Sequence, residues 1–180
     1  MNAIMLEWMY QKRLSAYAAM GYTVYVPTGN DGANVIFTVR DYQETYWQDF
    51  RMATNRVCIC SPRLSQRRVW EFVRKLKQDK RYQIEFSVLT LSNDKYTPLQ
   101  QTGIVNLKKA LREAGADVRE YDNLNCHFAV MDEDLVWYGS MNFLSREHED
   151  DILMRIRSES IVKELLAISN QEEVVMSNST

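Results

Sequence analysis

The chain has 180 residues, of which 46% are hydrophobic and 26% charged, and its formal net charge is -2. That is the size and balance of one globular domain with a short appendage, and it excludes a disordered chain, a collagen-like repeat and a coiled-coil rod. No apolar run approaches the ~20 residues of a membrane-spanning helix, and Glu7, Gln11, Lys12 and Arg13 break the apolar stretch that a signal peptide would need.

Residues 2–20 have helical character, with Ile4, Trp8, Leu14, Tyr17 and Ala18 on one face and Gly21 as a stop. Two strands follow, over 22–26 and 35–39, joined by the turn-forming run Pro27 to Gly32, which predicts a hairpin. Asp41 and Glu44 have the spacing of a capping box, and Tyr42, Tyr46 and Phe50 then fall at helical spacing. From Arg56 onward strand alternates with helix. Val57 to Cys60 is a short buried strand stopped by Ser61-Pro62. Ser65 can cap a helix striped by Val69, Phe72, Val73 and Leu76. A strand over 84–91, a helix over 105–114 stopped by Gly115, and a strand over 118–121 come next. Strands over 126–131 and 135–138 are close enough for a hairpin, with Trp137 and Tyr138 divided between core and surface. A strand over 152–156 precedes a last helix opened by Ser158, carrying Ile161, Leu165 and Leu166. The expected organisation is an N-terminal helix and hairpin over 1–34, an α/β domain with a mixed sheet and helices on both faces over 35–170, and a flexible polar tail over 171–180.

Cys58, Cys60 and Cys126 are an odd number without framework spacing, which reads as reduced thiols in a cytoplasmic protein. Three Cys and two His offer no structural zinc pattern, and neither metal nor cofactor is expected.

The chemistry concentrates in Asn125-Cys126-His127 and, further on, Gly139-Ser140-Met141-Asn142. Together with Asp132 they keep the spacing of the phospholipase D motif: His-x-Lys, four residues, Asp, six residues, Gly-Ser-x-Asn. The preceding strand, Ser-Pro turn and amphipathic helix also look like the first βα unit of that superfamily. The resemblance runs roughly from Val35 to Leu166 and implies a phospholipase D-like fold. It implies metal-independent phosphodiester cleavage, in which a His attacks phosphorus while Lys, Ser and Asn hold the oxygens. It also implies a homodimer, because one chain carries one motif and the family's site takes two. Asp132 reads as a turn or orienting carboxylate. Asp151, in the acidic run before the strand at Ile152, matches the family's acidic residue that orients the His.

Two positions depart from the pattern. Asn125 stands where the nucleophile belongs, and His127 stands at the Lys position. An amide nitrogen is no nucleophile, so impaired or absent catalysis is expected. Three readings of Asn125 are open: the domain has lost catalysis and kept binding, Asn125 replaces a natural His, or His127 is itself the nucleophile, displaced by two residues. If 125 and 127 belong to a strand, they face the same side.

Between Arg63 and Arg81 there are eight basic residues against two acidic ones, a local charge of +6 in a chain of -2. This is either a solvated helix face or a phosphate-backbone track through Arg67, Arg68, Arg74 and Lys75. The basic segment favours nucleic acid over lipid as the partner. The short single-motif plan is similar to the family's nuclease branch, whose domains occur attached to helicase or restriction-type proteins. A non-catalytic binding or dimerisation module is the alternative.

Overall fold

The structure is a computed structural model that describes residues 35–79 and 84–167. The expected helix over 2–20, the strand over 22–26 and the tail from 171 lie outside the described residues.

The described residues form seven strands: β1 (Val35–Thr38), β2 (Arg56–Cys60), β3 (Glu85–Leu91), β4 (Asp117–Tyr121), β5 (Phe128–Met131), β6 (Leu135–Gly139) and β7 (Ile152–Arg157). The helices are α1 (Tyr42–Met52), α2 (Gln66–Asp79), α3 (Pro98–Glu113) and α4 over 159–167. The strands form one sheet in the order β1-β7-β6-β5-β2-β3-β4. β2, β3 and β4 are parallel neighbours, and the remaining pairs are antiparallel. Parallel neighbours need a crossover, which α2 and α3 provide. Both crossovers step the same way across the sheet, so their right-handedness puts both helices on one face. α1 joins them there: the Phe50 and Phe72 rings lie 5.3 Å apart, and Phe72 lies 5.2 Å from Phe86 of β3. On the other face Leu166 of α4 lies beside Cys58, Ser87 and Leu89. The sheet is therefore mixed and has helices on both faces, as the alternation of elements implied.

The apolar stripes carry this packing. Tyr42, Tyr46 and Phe50 of α1 and Val69, Phe72 and Val73 of α2 are all buried. Trp137 is fully buried whereas its neighbour Tyr138 is 39% exposed, the division expected of adjacent strand residues. A buried polar brace ties α1 to the sheet. Asp49 accepts from Trp137 Nε1 at 2.9 Å and from Arg155 Nε at 2.7 Å.

Several local expectations need correction. The Asp41 carboxylate does not cap α1. It turns back to accept from the Thr38 backbone N–H at 2.7 Å and the Thr38 hydroxyl at 3.1 Å, closing the β1–α1 turn. α3 starts seven residues before the expected Val105. Pro98 occupies its first turn, and Gln100 Oε1 accepts from the Thr97 backbone N–H at 3.3 Å. The capping box of that turn stands in the sequence as Thr-Pro-x-Gln, outside the apolar stripe that marked the helix. β5 begins at Phe128 rather than at residue 126. α3 does stop at Gly115, whose φ of +94° suits only glycine comfortably.

Candidate functional site

β5 and β6 form the hairpin that brings the motif together. Phe128 pairs with both Cys60 and Tyr138, so the start of β5, the end of β2 and the end of β6 share one edge of the sheet. His127 precedes β5 and Ser140 follows β6, and the Gly139 N–H donates to the His127 carbonyl at 3.3 Å. Gly139 has a steric reason to be glycine: a Cβ there would run into the Ile152 carbonyl of β7.

Ser140 is held by Asp151. Its hydroxyl donates to Asp151 Oδ1 at 2.8 Å and accepts from the Ile152 N–H at 3.1 Å. The other Asp151 oxygen accepts from the His148 N–H at 2.8 Å, and the carboxylate is buried. His127 is half-buried, and this burial pulls its imidazole below the ordinary value; the charge of Asp151 and a hydrogen bond with the Ser140 backbone oppose the shift.

Asn142 is engaged in the fold. Oriented to satisfy its neighbours, its amide donates to the Arg63 carbonyl at 3.0 Å and accepts from the Arg63 N–H at 3.0 Å, and it also contacts the Ser61 hydroxyl. Ser61 is fully buried and accepts from the Leu144 N–H at 2.9 Å. Asn142 and Ser61 together clamp the β2–α2 turn to the loop after β6. The sequence reading treated Ser61 only as the end of a strand; its paired hydroxyl contacts follow from the tertiary structure.

Asn125 lies in the loop before β5 and is exposed. The loop is held where Cys60 Sγ donates to the Cys126 carbonyl at 3.1 Å. Neither 125 nor 127 belongs to a strand, so strand alternation does not orient them. Asp132 lies at the far end of β5, about 16 Å from His127 at strand rise. Its carboxylate accepts from the backbone N–H groups of Thr54 at 3.0 Å, Asn55 at 2.7 Å and Arg56 at 3.2 Å. Burial raises its pKa, but those N–H groups outweigh this and hold the carboxyl below the usual range. With φ at 55°, it makes the β5–β6 turn in a conformation that Asp tolerates. Asp132 is thus placed apart from His127, Ser140 and Asp151.

The basic residues of α2 divide. Arg67, Arg74 and Lys77 are exposed. Arg68 is buried, donating to Tyr42 Oη at 2.6 Å and pairing with Glu147 at 3.2 Å. Lys75 Nζ lies 4.5 Å from the centre of the Trp47 ring. Among the described residues no group of three His, Cys, Asp or Glu side chains could hold a metal ion. All three cysteines are free thiols.

A family model described as cardiolipin synthase, PLD-like domain, matches residues 46–172. The chain belongs to the phospholipase D-like family. No curated protein sequence matches it. Solved structures with the same fold include NucT from Helicobacter pylori, 17% identical with a TM-score of 0.58, covering 77% of this chain and 94% of that one. Nuc, a phospholipase D family member from Salmonella typhimurium, is 9% identical with a TM-score of 0.59, over 78% and 93%. TrmBL2, an archaeal chromatin protein described with a novel mode of DNA binding, is 11% identical with a TM-score of 0.51, over 92% of this chain. The chain spans 60% of the length of TrmBL2. At these identities the likeness is one of fold. Among the described residues no helix is long and apolar enough to cross a membrane.

Proposed function

We propose that this phospholipase D-like domain binds the phosphodiester backbone of nucleic acid without cleaving it. The observation that carries the reading is Asn125, an amide at the nucleophile position of an otherwise correctly spaced motif. Covalent catalysis needs a lone pair that an amide nitrogen does not offer. The engagement of Ser140 with Asp151 and of Asn142 with Arg63 adds support, since two groups that would hold phosphate oxygens are committed to the fold. His127 remains as a donor when protonated, and Arg67, Arg74 and Lys77 offer positive charge along α2. The fold-level likeness to TrmBL2, described with a novel mode of DNA binding, adds support for nucleic acid over lipid. The single motif supports a homodimer with two such sites facing across a twofold axis.

The test has two arms. Labelled DNA and vesicles of anionic phospholipid are offered at several salt concentrations, and hydrolysis of DNA and of a generic phosphodiester is followed in chelator. DNA binding that falls steeply with salt, without turnover, is the expected result. Binding to vesicles alone overturns the nucleic-acid reading. A second reading has one observation in its favour: His127 stands beside Gly139 and Ser140 within the motif, where its imidazole feels the charge of Asp151. Turnover abolished by His127→Ala would establish it and overturn the non-catalytic assignment.

A further inference from the structure

A groove of about 730 Å³ opens between the first turns of α2 and α3. These helices follow β2 and β3, so the groove lies outside the carboxyl ends of the parallel strands, where open α/β sheets receive ligands. It adjoins the phosphate site through shared structure. Arg63, whose backbone Asn142 grips, lines it from one side, and Ser145 lines it from the loop after β6.

Its lining is specific in character. Trp70 is 48% exposed and Leu99 is 94% exposed, large apolar groups left open to water. The Arg63 guanidinium lies 4.9 Å from the centre of the Tyr96 ring and donates to the Lys95 carbonyl at 2.9 Å, so it is fixed over the ring. Below this wall, Lys108 is buried and donates to the Leu91 carbonyl and Asn93 Oδ1, both at 2.8 Å, which fixes the turn leading to Tyr96. Gln66 and Asn106 add amide donors and acceptors. No acidic residue lines the groove, and Arg63 is its charged group. Arg67 and Arg74 lie exposed on the same helix as Trp70.

We propose that this groove receives unstacked bases of a single-stranded nucleic acid whose backbone runs along α2 toward His127. An exposed indole and the outer face of the Arg63 guanidinium, held over the buried Tyr96 ring, offer stacking faces that any base can use, and the flanking arginines match the strand's charge. Amide side chains suit base edges without demanding one sequence. Bases inside a duplex are stacked on each other and cannot enter, so the groove makes the domain prefer single strands. The inference rests on the nucleic-acid reading above.

The experiment compares oligo-dT with a hairpin duplex of equal charge by fluorescence anisotropy, using the full chain and its Trp70→Ala, Trp70→Phe and Arg67→Glu variants. Far-ultraviolet circular dichroism establishes that each is folded. The wild type is expected to bind the single strand more tightly than the duplex. Trp70→Ala should weaken single-strand binding by roughly tenfold and leave duplex binding unchanged, with Trp70→Phe recovering most of the loss. Arg67→Glu should weaken both. If Trp70→Ala lowers both affinities equally or neither, the groove proposal fails while nucleic-acid binding stands. If the wild type binds neither, the underlying reading fails. If Trp70→Ala instead shifts the melting temperature or the sedimentation coefficient without affecting DNA, a protein segment occupies the groove, and the proposal is overturned.

Discussion

At the scale of residues, the motif carboxylates do different work. Asp151 holds Ser140, whereas Asp132 collects three backbone N–H groups at the start of β2. Asp132→Ala leaves those donors without their acceptor, at a cost of about 2–3 kcal/mol. Urea unfolding should register that loss, while DNA affinity stays unchanged under folded conditions. Because its folded pKa is depressed, the stability it contributes is present above the unfolded value and is lost as pH falls through the folded one. His127 behaves in the opposite way toward ligand. Its pKa is lowered in the free protein, so the folded state resists protonation and loses stability relative to the unfolded chain as pH falls through ~6.5. A bound phosphate favours the protonated imidazole, so DNA affinity should rise as pH falls and level off once the imidazole of the free protein is itself protonated. Anisotropy titrations across pH 5 to 8 (a range of about three units) check this, and His127→Ala should flatten the pH profile while keeping most of the salt dependence.

At the scale of elements, α2 serves two purposes. One face buries Val69, Phe72 and Val73 and places Arg68 within the Tyr42–Glu147 cluster. The other presents Arg67, Arg74 and Lys77. The substitutions should separate these purposes. Arg67→Glu with Arg74→Glu should weaken DNA binding across sequences alike and reduce its salt dependence, with little change in unfolding free energy. Arg68→Ala removes a buried cation that Tyr42 and Glu147 share, and should destabilise by about 3 kcal/mol. A double variant that leaves binding untouched would make the exposed basic run a solvated face only.

At the scale of the molecule, one sheet joins a parallel half, β2 to β4, to an antiparallel half that carries the motif hairpin. The join is the β2–β5 pair, and the candidate site sits at its end. One chain supplies one motif, so the expected assembly is a pair of chains. Sedimentation velocity at micromolar concentration should give about twice the 21.2 kDa chain mass. A monomer at every concentration would leave each site open on one side and remove the facing-His geometry.

What the sequence determined by itself was the list of elements from β1 to α4, the mixed sheet and the family motif. Each of these is a local or fixed-spacing signal: the stripe of Val69, Phe72 and Val73, the Gly115 stop, and the seven-residue step from Asp132 to Gly139. Spacing also marked Asn125 as the position where catalysis is in question, because residue identity there is visible without any contact. The contacts of each polar side chain, by contrast, came from the three-dimensional fold. Asp132 and Asp151 are both carboxylates at family-like spacing, yet one binds backbone amides at the far end of β5 and the other holds Ser140. Arg67 and Arg68 are adjacent in sequence, yet one faces solvent and the other is buried against Tyr42 from a different helix. The role of Ser61 escaped for the same reason, whereas the start of α3 is a local signal, Thr97-Pro98-x-Gln100, that lies outside the apolar stripe marking the helix. Hydrophobic periodicity reports which side of an element is buried, whereas a hydrogen bond depends on partners brought together from distant parts of the chain, as with Ser61 and Leu144.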